Sequence, residues 1–376
     1  MKKIGFLTVI SFLFFVQANA VRKVTITNTS PVNRKAEMVE VKVSDLKLSF
    51  GTKTYVLTDM NNKELPYQII YDGSQKPRSI IFETDVNVGS SVSYIFTEGT
   101  PATVKPRTSA QFVPERKDDF AWENDLAAYR MYGPALAAEN PSNGVDLWLK
   151  STDEIVVAKR YRDELQNGIT YHVDHGNGLD CYKVGHTLGA GGIAPFKSGK
   201  LWIGNHFSSY KIIETGPLRS VFELIYDSVE VDKQFYKQTI RITTTAGATL
   251  NKAEVRFEGK KQDMKLAAGI YLHDGKGVVK NEPNNGIIAY SENAVSDAGL
   301  PSGRNYVGVY IPVDKTESKI NDTHLLICAD YKAGDTFVYY FGGGWSKWKF
   351  PTDNDWFNAV TKLRDCIQYP LKVTVK

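Results

Sequence analysis

Short runs of alternating hydrophobic and polar residues recur along most of the chain. Between residues 21 and 97 they lie at 24–27, 38–43, 55–57, 67–70, 79–82 and 92–96. Alternation with a period of two places successive side chains on opposite faces of a β-strand. Several such runs, separated by turn residues, predict a small β-sandwich of immunoglobulin-like size over residues 21–105.

The pattern is interrupted and then resumes. Residues 106–119 are polar and contain Pro106 and Pro114, which predicts a linker. Further alternating runs lie at 221–229, 235–244, 253–257, 266–272, 306–311, 325–329 and 336–341. Helical periodicity is weak and confined to residues 151–161 and 355–362. We therefore expect an all-β protein in which residues 120–376 form a large, mainly antiparallel β-sandwich.

The first 20 residues read MKKIGFLTVISFLFFVQANA. Two lysines, an apolar run and a small-residue motif ending at Ala20 are typical of a cleavable signal peptide, and the run is too short to span a bilayer. We expect an exported protein, periplasmic or secreted, that begins near Val21 and has no stable membrane span. The alternative is an uncleaved anchor.

Charge and composition narrow the function classes. Removal of Lys2 and Lys3 with the leader lowers the net charge from +4 to about +2, and no Lys/Arg run exceeds two residues. Nucleic acid is therefore not an expected partner. Aromatic residues make up 12% of the chain. They suit both a β-rich core and sugar recognition. Of the three cysteines, Cys328 lies in an apolar run, and we expect no disulfide.

Residues 171–192, YHVDHGNGLDCYKVGHTLGAGG, form a polar stretch that is unusual for this chain. The stretch holds three of the six histidines, His172, His175 and His186, and six glycines. It has too few apolar residues for a core segment and too many titratable residues for a plain linker. Histidine titrates near neutrality, and loops on a rigid scaffold often carry function. We therefore predict that this stretch forms a site.

The residue types in the stretch allow several kinds of chemistry. His172, Asp174 and His175 could hold a divalent metal ion, although an H-x-x-H spacing in a glycine-rich loop is a weak signal. Acid–base catalysis and ordinary loop hydrogen bonding stay open beside it. Tyr182 could exchange a proton if a cation such as Lys183 lowered its pKa, but a Tyr-Lys pair is also commonplace in strands.

Residues outside this stretch add to the candidate site. Arg130 could bind a carboxylate through both guanidinium nitrogens, or pair structurally with Glu123 or Asp125. His206 could line the same cleft, whereas His273 and His324 adjoin β runs and are expected to be structural. The sequence has no G-x-S-x-G motif, no phosphate-binding loop and no dinucleotide fingerprint.

Three segments resemble an exported bacterial family, domain of unknown function 4861. They are residues 120–136 (FAWENDLAAYRMYGPAL), residues 171–192, and the region 341–356 with its GGW and DW motifs. The resemblance implies a role in polysaccharide degradation. It also implies the galactose-mutarotase-like supersandwich found in several polysaccharide lyases. The implied activity is that of an oligosaccharide dehydratase, which removes water from a terminal uronic acid and leaves a 4,5-unsaturated sugar.

Such a carbon–oxygen lyase needs a base, an acid and a cation for the substrate carboxylate. We assign His175 or His172 as the base, Tyr182 as the acid and Arg130 as the carboxylate clamp. The expected substrate-binding residues are Glu123, Asp125, Tyr132, Asp146, Lys183, His206 and Trp345. One alternative is a glycoside hydrolase that uses Glu123 with Asp125, or Asp146 with Asp180. The other is a non-catalytic glycan-binding protein.

Overall fold

A computed structural model describes residues 21–139 and 144–376 of the chain. The predicted signal peptide, residues 1–20, lies outside the described residues. Strands account for 50% of the residues and helices for 11%, and the strands pair in antiparallel sheets. The prediction of an all-β sandwich is therefore confirmed. In the described ranges, no helix is long and apolar enough to cross a membrane.

The described residues form 25 strands and three α-helices. The elements of the first part are β1 (Arg22–Thr27), β2 (Arg34–Lys42), α1 (Val43–Leu46), β3 (Tyr55–Asp59), β4 (Glu64–Leu65), β5 (Tyr67–Tyr71), β6 (Pro77–Val86), β7 (Ser91–Glu98) and β8 (Ser109–Val113). Those of the middle part are β9 (Asp119–Glu123), β10 (Ala127–Met131), β11 (Asp146–Leu149), α2 (Val157–Asn167), β12 (Ala190–Lys197), β13 (Lys200–Leu201), β14 (Ser209–Glu214), β15 (Arg219–Val231) and β16 (Gln234–Thr245). The last part contains β17 (Asn251–Glu258), β18 (Asp263–Tyr271), β19 (Val278–Glu282), β20 (Ile287–Val295), β21 (Pro301–Tyr310), β22 (Glu317–Ile320), β23 (His324–Lys332), β24 (Phe337–Trp345), α3 (Asp353–Gln368) and β25 (Lys372–Val375).

The first part folds as a small sandwich of two sheets. One sheet has the strand order β25-β1-β7-β3-β4 and the other the order β2-β6-β5. Inward-facing side chains such as Ile26, Leu57, Phe82 and Phe96 are completely buried between them. The alternating pattern therefore has the expected origin, since every second residue of these strands faces the core.

The last strand of the chain belongs to this first sandwich. Strand β25 pairs antiparallel with β1, and the main chains of Lys23 and Lys376 exchange hydrogen bonds of 3.1 and 2.9 Å. The expected division at residues 120–376 differs from the structure here. Four alternating residues carry too little signal to assign a strand to a sheet more than 340 residues away.

The expected linker also contains regular structure. Residues Ser109–Val113 form β8, which pairs with β9 at the edge of a four-stranded sheet of order β11-β10-β9-β8. Within the same segment, the Arg107 N–H donates to the Pro217 carbonyl at 2.7 Å. The prolines at 106 and 114 flank this short strand and mask its alternation in the sequence.

The large sandwich places one eight-stranded sheet against two smaller sheets. The eight-stranded sheet has the order β14-β15-β16-β17-β24-β21-β20-β19. It faces the four-stranded sheet and a five-stranded sheet of order β13-β12-β18-β23-β22. Trp122, Phe222, Leu266 and Phe341 come from all three sheets and are buried in one continuous core. This core fixes the strand ends from which the site is built.

Two helices cover outer faces of the sheets. Helix α2 packs on the four-stranded sheet through Tyr161, which contacts Trp148. Helix α3 begins with a capping box between Thr352 and Asp355, and Trp356 is buried against the eight-stranded sheet. The helix predicted at residues 355–362 is confirmed and is longer than expected. The weaker prediction at 151–161 is shifted, because α2 runs from residue 157 to 167.

Candidate functional site

The histidine-rich stretch is a loop that lies along the edge of the four-stranded sheet. It connects α2 to β12, and the main chains of Leu149 and Leu179 exchange hydrogen bonds of 2.9 and 3.1 Å. Gly178 has φ +101°, and a Cβ there would lie 2.1 Å from the Leu149 carbonyl oxygen. Only glycine allows this approach. The loop is thus anchored at its centre and presents residues 180–185 at a cleft.

The cleft consists of two adjoining cavities. The smaller, of about 190 Å³, is lined by Arg130, Tyr132, His172, Asp180, Cys181, Tyr182, Lys183, Val184, Gly185 and Asp297. The larger, of about 510 Å³, shares Cys181, Lys183 and Asp297 with it. The shared residues form the boundary between the two. Five of the predicted site residues, Arg130, Tyr132, His172, Tyr182 and Lys183, therefore meet in one place.

Arg130 is buried within a cage of three carboxylates. A terminal guanidinium nitrogen lies 2.6 Å from Asp146 Oδ2 and 3.0 Å from Asp180 Oδ2. The other lies 3.5 Å from Asp119 Oδ2 and donates to the Tyr171 hydroxyl at 3.1 Å. Both terminal nitrogens of the guanidinium are engaged by these side chains, whereas Nε has no hydrogen-bond partner among the described residues. Its geometry thus favours a role in positioning the carboxylates of the cleft.

One arginine cannot neutralise three buried carboxylates, and this changes their proton affinity. Burial raises the pKa of Asp119 to about 6, although Arg130 acts in the opposite direction. Burial, and then the charge of Asp146, raise the pKa of Asp180 well above its usual range. Asp180, which reaches the smaller cavity, therefore binds a proton more tightly than an ordinary carboxyl group does.

His172 lies beside Asp180 at the wall of the smaller cavity. Its Nδ1 is 3.1 Å from the main-chain oxygen of Asp180, and since a carbonyl can only accept, Nδ1 carries the proton. In the neutral ring, Nε2 then has the free lone pair. The same Nδ1 lies 3.6 Å from the Oδ2 atoms of both Asp180 and Asp297. The loop and the turn after β20 thus set the tautomer and orientation of a partly exposed imidazole.

Lys183 is the most accessible cation in the smaller cavity. Its Nζ donates to Asp297 Oδ1 at 2.7 Å, and its side chain is 71% exposed. This hydrogen bond is the main cause of the lowered pKa of Asp297. The neighbouring carboxyl groups of Asp180 and Asp297 therefore have pKa values displaced in opposite directions.

Tyr182 is almost completely buried. Within the described part of the chain, its hydroxyl has no hydrogen-bond partner. Burial, and then the charge of Glu292, raise the pKa of Tyr182 well above its ordinary value. The phenol therefore keeps its proton across the neutral range.

Two residues that the sequence analysis did not assign to the site lie in the larger cavity, His273, which was expected to be structural, and Glu292. His273 follows β18, and its ring packs against Tyr182 at 4.8 Å and Tyr271 at 4.2 Å between ring centroids. Its Nε2 donates to the Lys183 carbonyl at 2.8 Å, and its Nδ1 lies 2.7 Å from Glu292 Oε1. These contacts place a histidine and a carboxylate next to the residues predicted for catalysis.

The predicted carboxylates Glu123 and Asp125 lie outside the cleft. Glu123 is completely buried, forms an ion pair with Lys150 at 2.7 Å, and accepts from the N–H groups of Val156 and Val157 at the start of α2. Asp125 accepts from Arg107 Nε at 3.1 Å and from the Gly247 N–H at 2.7 Å. Both anchor parts of the fold in this structure.

Three further predicted substrate-binding residues are also separated from the cleft lining. Asp146 is completely buried below Arg130 and accepts from Trp148 Nε1 at 3.0 Å. Trp345 is buried at the end of β24 and donates to the Ser302 carbonyl at 2.6 Å. His206 is half-buried in the loop between β13 and β14.

The proposed metal ligands each have another hydrogen-bonding role. Asp174 Oδ1 accepts from the N–H groups of Gly176 and Gly178, both at 2.9 Å. His175 Nε2 lies 2.9 Å from the Thr170 carbonyl oxygen, to which it donates. Across residues 21–139 and 144–376, no three His, Cys, Asp or Glu side chains are grouped so that they could hold a metal ion. The structure therefore does not bring His172, Asp174 and His175 together as a ligand set.

Two expectations about less reactive groups can be compared with the structure. His324 is buried, accepts from the Leu188 N–H at 3.1 Å, and has a pKa lowered to about 4 by burial. Its predicted structural role is confirmed. Cys181 and Cys328 are buried free thiols, and Cys366 is a partly buried one.

The family model described as domain of unknown function (DUF4861) matches residues 26–373. The chain belongs to this family. A curated relative from Formosa agariphila, named "Uncharacterized protein P7", is 28% identical over 374 residues. That alignment covers 94% of this chain and 93% of the relative. The DUF4861 assignment thus rests on a match along nearly the whole sequence.

Two solved structures resemble this DUF4861 protein in fold. One is a protein of glycosyl hydrolase family 38 from Enterococcus faecalis, with a TM-score of 0.50, 11% identity and 96% of this chain covered. The other is an alpha-mannosidase from Enterococcus faecalis V583, with the same score and identity and 95% covered. The chain spans about half the length of these proteins, 48% and 46%. At this identity the likeness shows a shared fold.

Proposed function

We propose that this DUF4861 protein is an exported carbohydrate-active enzyme of the elimination type. It would remove water, or a glycosyl group, from a uronic acid residue of an oligosaccharide and leave a 4,5-unsaturated sugar. Its fold likeness to glycosidases supports a saccharide substrate. One observation carries the reaction type. His172, with its lone pair on Nε2, lies in one cavity with the raised-pKa carboxyl of Asp180 and the accessible cation Lys183.

The reaction begins at the carbon next to the uronate carboxylate. Removal of the C5 proton gives that carboxylate enolate character, so the enzyme needs a base and a group that stabilises the new charge. His172 supplies the base through Nε2. Asp180 holds its ring in the required tautomer through the main-chain oxygen. Of the two histidines predicted for this role, His172 is the one that lines the cavity, while His175 is exposed and bonded to Thr170.

Lys183 is the better candidate for binding the substrate carboxylate. Its exposed ammonium group already binds a carboxylate, that of Asp297, which a uronate could replace. A protonated Asp180 could donate a second hydrogen bond to the same group. Arg130, surrounded by three carboxylates, would hold Asp180 in place. In this arrangement Arg130 has a positioning role, and Lys183 takes over the binding of the substrate carboxylate that the sequence analysis assigned to Arg130.

A second candidate function is glycoside hydrolysis, and one observation favours it. Asp180 and Asp297 lie at equal distances, 3.6 Å, from His172 Nδ1, and their pKa values are displaced upward and downward respectively. Glycosidases use two neighbouring carboxyl groups. The one with the raised pKa serves as the acid, and the one with the lowered pKa serves as the nucleophile or base. The two functions use the same cavity and differ in their products.

Mass spectrometry of uronate oligosaccharides incubated with the purified protein tests the proposal. A product lighter by one water at unchanged chain length identifies a dehydratase. Shorter products that absorb in the ultraviolet through a new conjugated double bond identify a lyase. Shorter products without that absorbance identify a hydrolase and overturn elimination. Binding without turnover across a broad panel would indicate a glycan-binding protein. A parallel reaction with a chelator tests whether the activity requires a divalent metal ion.

A further inference from the structure

The second cavity of the cleft contains a histidine with an uncommon backbone conformation. His273 has φ +46°, in the left-handed region, where residues other than glycine are uncommon. The cost of this conformation is compensated by the ring's contacts with Tyr182, Tyr271 and the Lys183 carbonyl. Such strained residues cluster at functional sites, because the surrounding structure has to hold them in place.

The contacts of the two His273 ring nitrogens indicate where the ring carries protons and how it interacts with Glu292. Nε2 must carry a proton, because it donates to the Lys183 carbonyl oxygen at 2.8 Å. Nδ1 lies 2.7 Å from Glu292 Oε1. At this distance an unprotonated Nδ1 and an ionised carboxylate would repel each other, and a proton on either group would relieve the repulsion. The short contact therefore favours a further proton shared between His273 and Glu292.

The contact is close, but it is not aligned as an ideal hydrogen bond. Glu292 Oε1 is at ion-pair distance, yet it lies off the direction of a ring N–H, so that Nδ1 has no hydrogen bond by angle. The distance is the more informative quantity here, since catalytic hydrogen bonds are often poorly aligned before substrate binds. A shared proton that is not locked in a linear bond is also easier to release.

Glu292 is well placed to pass this proton to a ligand. It lies on β20, lines the larger cavity, and is 8% exposed at its side chain. The cavity also contains Lys183, Lys276 and Asp274. Because Lys183 and Asp297 border both cavities, a saccharide bound at that boundary would lie between His172 on one side and Glu292 on the other.

We propose that Glu292, which receives a proton from His273, is the acid of the elimination. This inference rests on the proposed function. When His172 takes the C5 proton, the C5–H electron pair forms the C4=C5 double bond and the C4–O bond breaks. The departing oxygen takes the proton from Glu292 and leaves as water. Glu292 remains as a carboxylate, and the C5 proton resides on His172. Tyr182, predicted as the acid, then positions His273 through its ring.

The variant Glu292→Gln separates removal of the C5 proton by His172 from protonation of the departing oxygen by Glu292. The amide keeps the size of the side chain and a donor for Nδ1, but it cannot transfer a proton. We expect wild-type protein to form the product lighter by one water, and Glu292→Gln to form it 10²–10⁴-fold more slowly. In D₂O the variant should still exchange the C5 proton for deuterium, since His172 is intact. Glu282→Gln, a carboxylate on the neighbouring strand β19, is the matched control and should retain full activity.

A substrate with fluoride at C4 gives the complementary result. Fluoride leaves without a proton, so Glu292→Gln should release it at nearly the wild-type rate. Full dehydration activity in Glu292→Gln, or equal losses with both substrates, would overturn the role of Glu292 as acid. Absence of any unsaturated product from the wild type would instead overturn the proposed function, so the two failures are distinguishable.

Nitrogen-15 NMR of labelled histidine provides a readout that needs no turnover. We expect His273 to show both ring nitrogens protonated or sharing a proton in the wild type. In Glu292→Gln only Nε2 should be protonated. The shared proton would be overturned if, at neutral pH, the wild type had an unprotonated Nδ1 and the carboxyl carbon chemical shift of Glu292 showed an ionised carboxylate.

Discussion

Lys183 and Asp297 are joined across the cleft by a 2.7 Å ion pair, although 114 residues separate them in the chain. Both side chains are substantially exposed, 71% and 41%. Exposed pairs contribute between zero and about 1 kcal/mol to stability, so this one can open at low cost. Lys183 is therefore suited to release Asp297 and bind the carboxylate of a ligand instead.

Lys183→Met should weaken binding of uronate oligosaccharides. We expect KM to rise about tenfold, which corresponds to roughly 1.4 kcal/mol, with little change in thermal stability. The control is Lys53→Met, because Lys53 is also exposed and paired with a glutamate, Glu98, in the first sandwich. Neutral oligosaccharides should bind equally well to both variants. Equal KM values for uronates in the two variants would contradict the role of Lys183.

His172→Gln and His175→Gln distinguish the two candidate bases. Loss of a general base lowers kcat by about 10²–10⁴-fold, and we expect a loss in that range for His172→Gln. The loss for His175→Gln should be much smaller, because the His175 ring is exposed and bonded to the Thr170 carbonyl. The measurement is the rate of unsaturated product formation under saturating substrate. The reverse order of losses would assign the base to His175.

Arg130→Met should destabilise the fold. Removing the guanidinium leaves Asp119, Asp146 and Asp180 buried without their cation, and breaking a buried ion pair in this way costs about 3–5 kcal/mol. Urea denaturation at neutral pH measures the change in unfolding free energy. Arg241→Met, which removes an exposed partner of Glu223, should cost less than about 1 kcal/mol. Similar losses in both variants would show that the cage contributes little.

Asp119 should make the protein less stable as the pH rises from about 4 to about 6. Its pKa is about 6 in the folded protein, against an ordinary value of 3.8, so the folded state binds this proton more tightly than the unfolded state does. The stabilisation is present at low pH and is lost as the pH passes through the folded pKa. The displacement corresponds to about 3 kcal/mol.

Asp119→Asn removes this titration and provides the test. Between pH 4 and pH 7, the unfolding free energy of the wild type should change by about 2 kcal/mol more, in the direction of lower stability, than that of Asp119→Asn. The asparagine can still accept from the Tyr161 hydroxyl, which lies 3.1 Å from Asp119 Oδ2. Parallel pH profiles for the two proteins would show that Asp119 titrates at its ordinary value.

The fold class and part of the site could be predicted from local sequence. Alternation identified most of the long strands, and the concentration of titratable residues at 171–192 identified the loop that lines the cleft. Local patterns carry this information because strand alternation and loop polarity are properties of a few successive residues. His172, Tyr182 and Lys183, which line the smaller cavity, were therefore predicted without knowledge of the fold.

The remaining site residues depend on contacts between distant elements. His273 follows β18 and Glu292 lies on β20, two strands of different sheets, and the sequence does not show that the two residues meet. The only local signal is the position of His273 between a strong β run and the turn Asp274-Gly275. Glu123 illustrates the opposite error. It was expected to bind substrate, but both faces of β9 are buried, because α2 covers the outer one.

The pairing of β25 with β1 constrains the order in which the protein can fold. Among the described strands, β1 precedes the large sandwich in the sequence and β25 follows it, so during synthesis β1 emerges well before its partner. The large sandwich, by contrast, contains its own strands from β8 to β24 and can assemble first. The sheet of the small sandwich is therefore complete only after β24 has been made, and its completion holds β1 and β25 side by side.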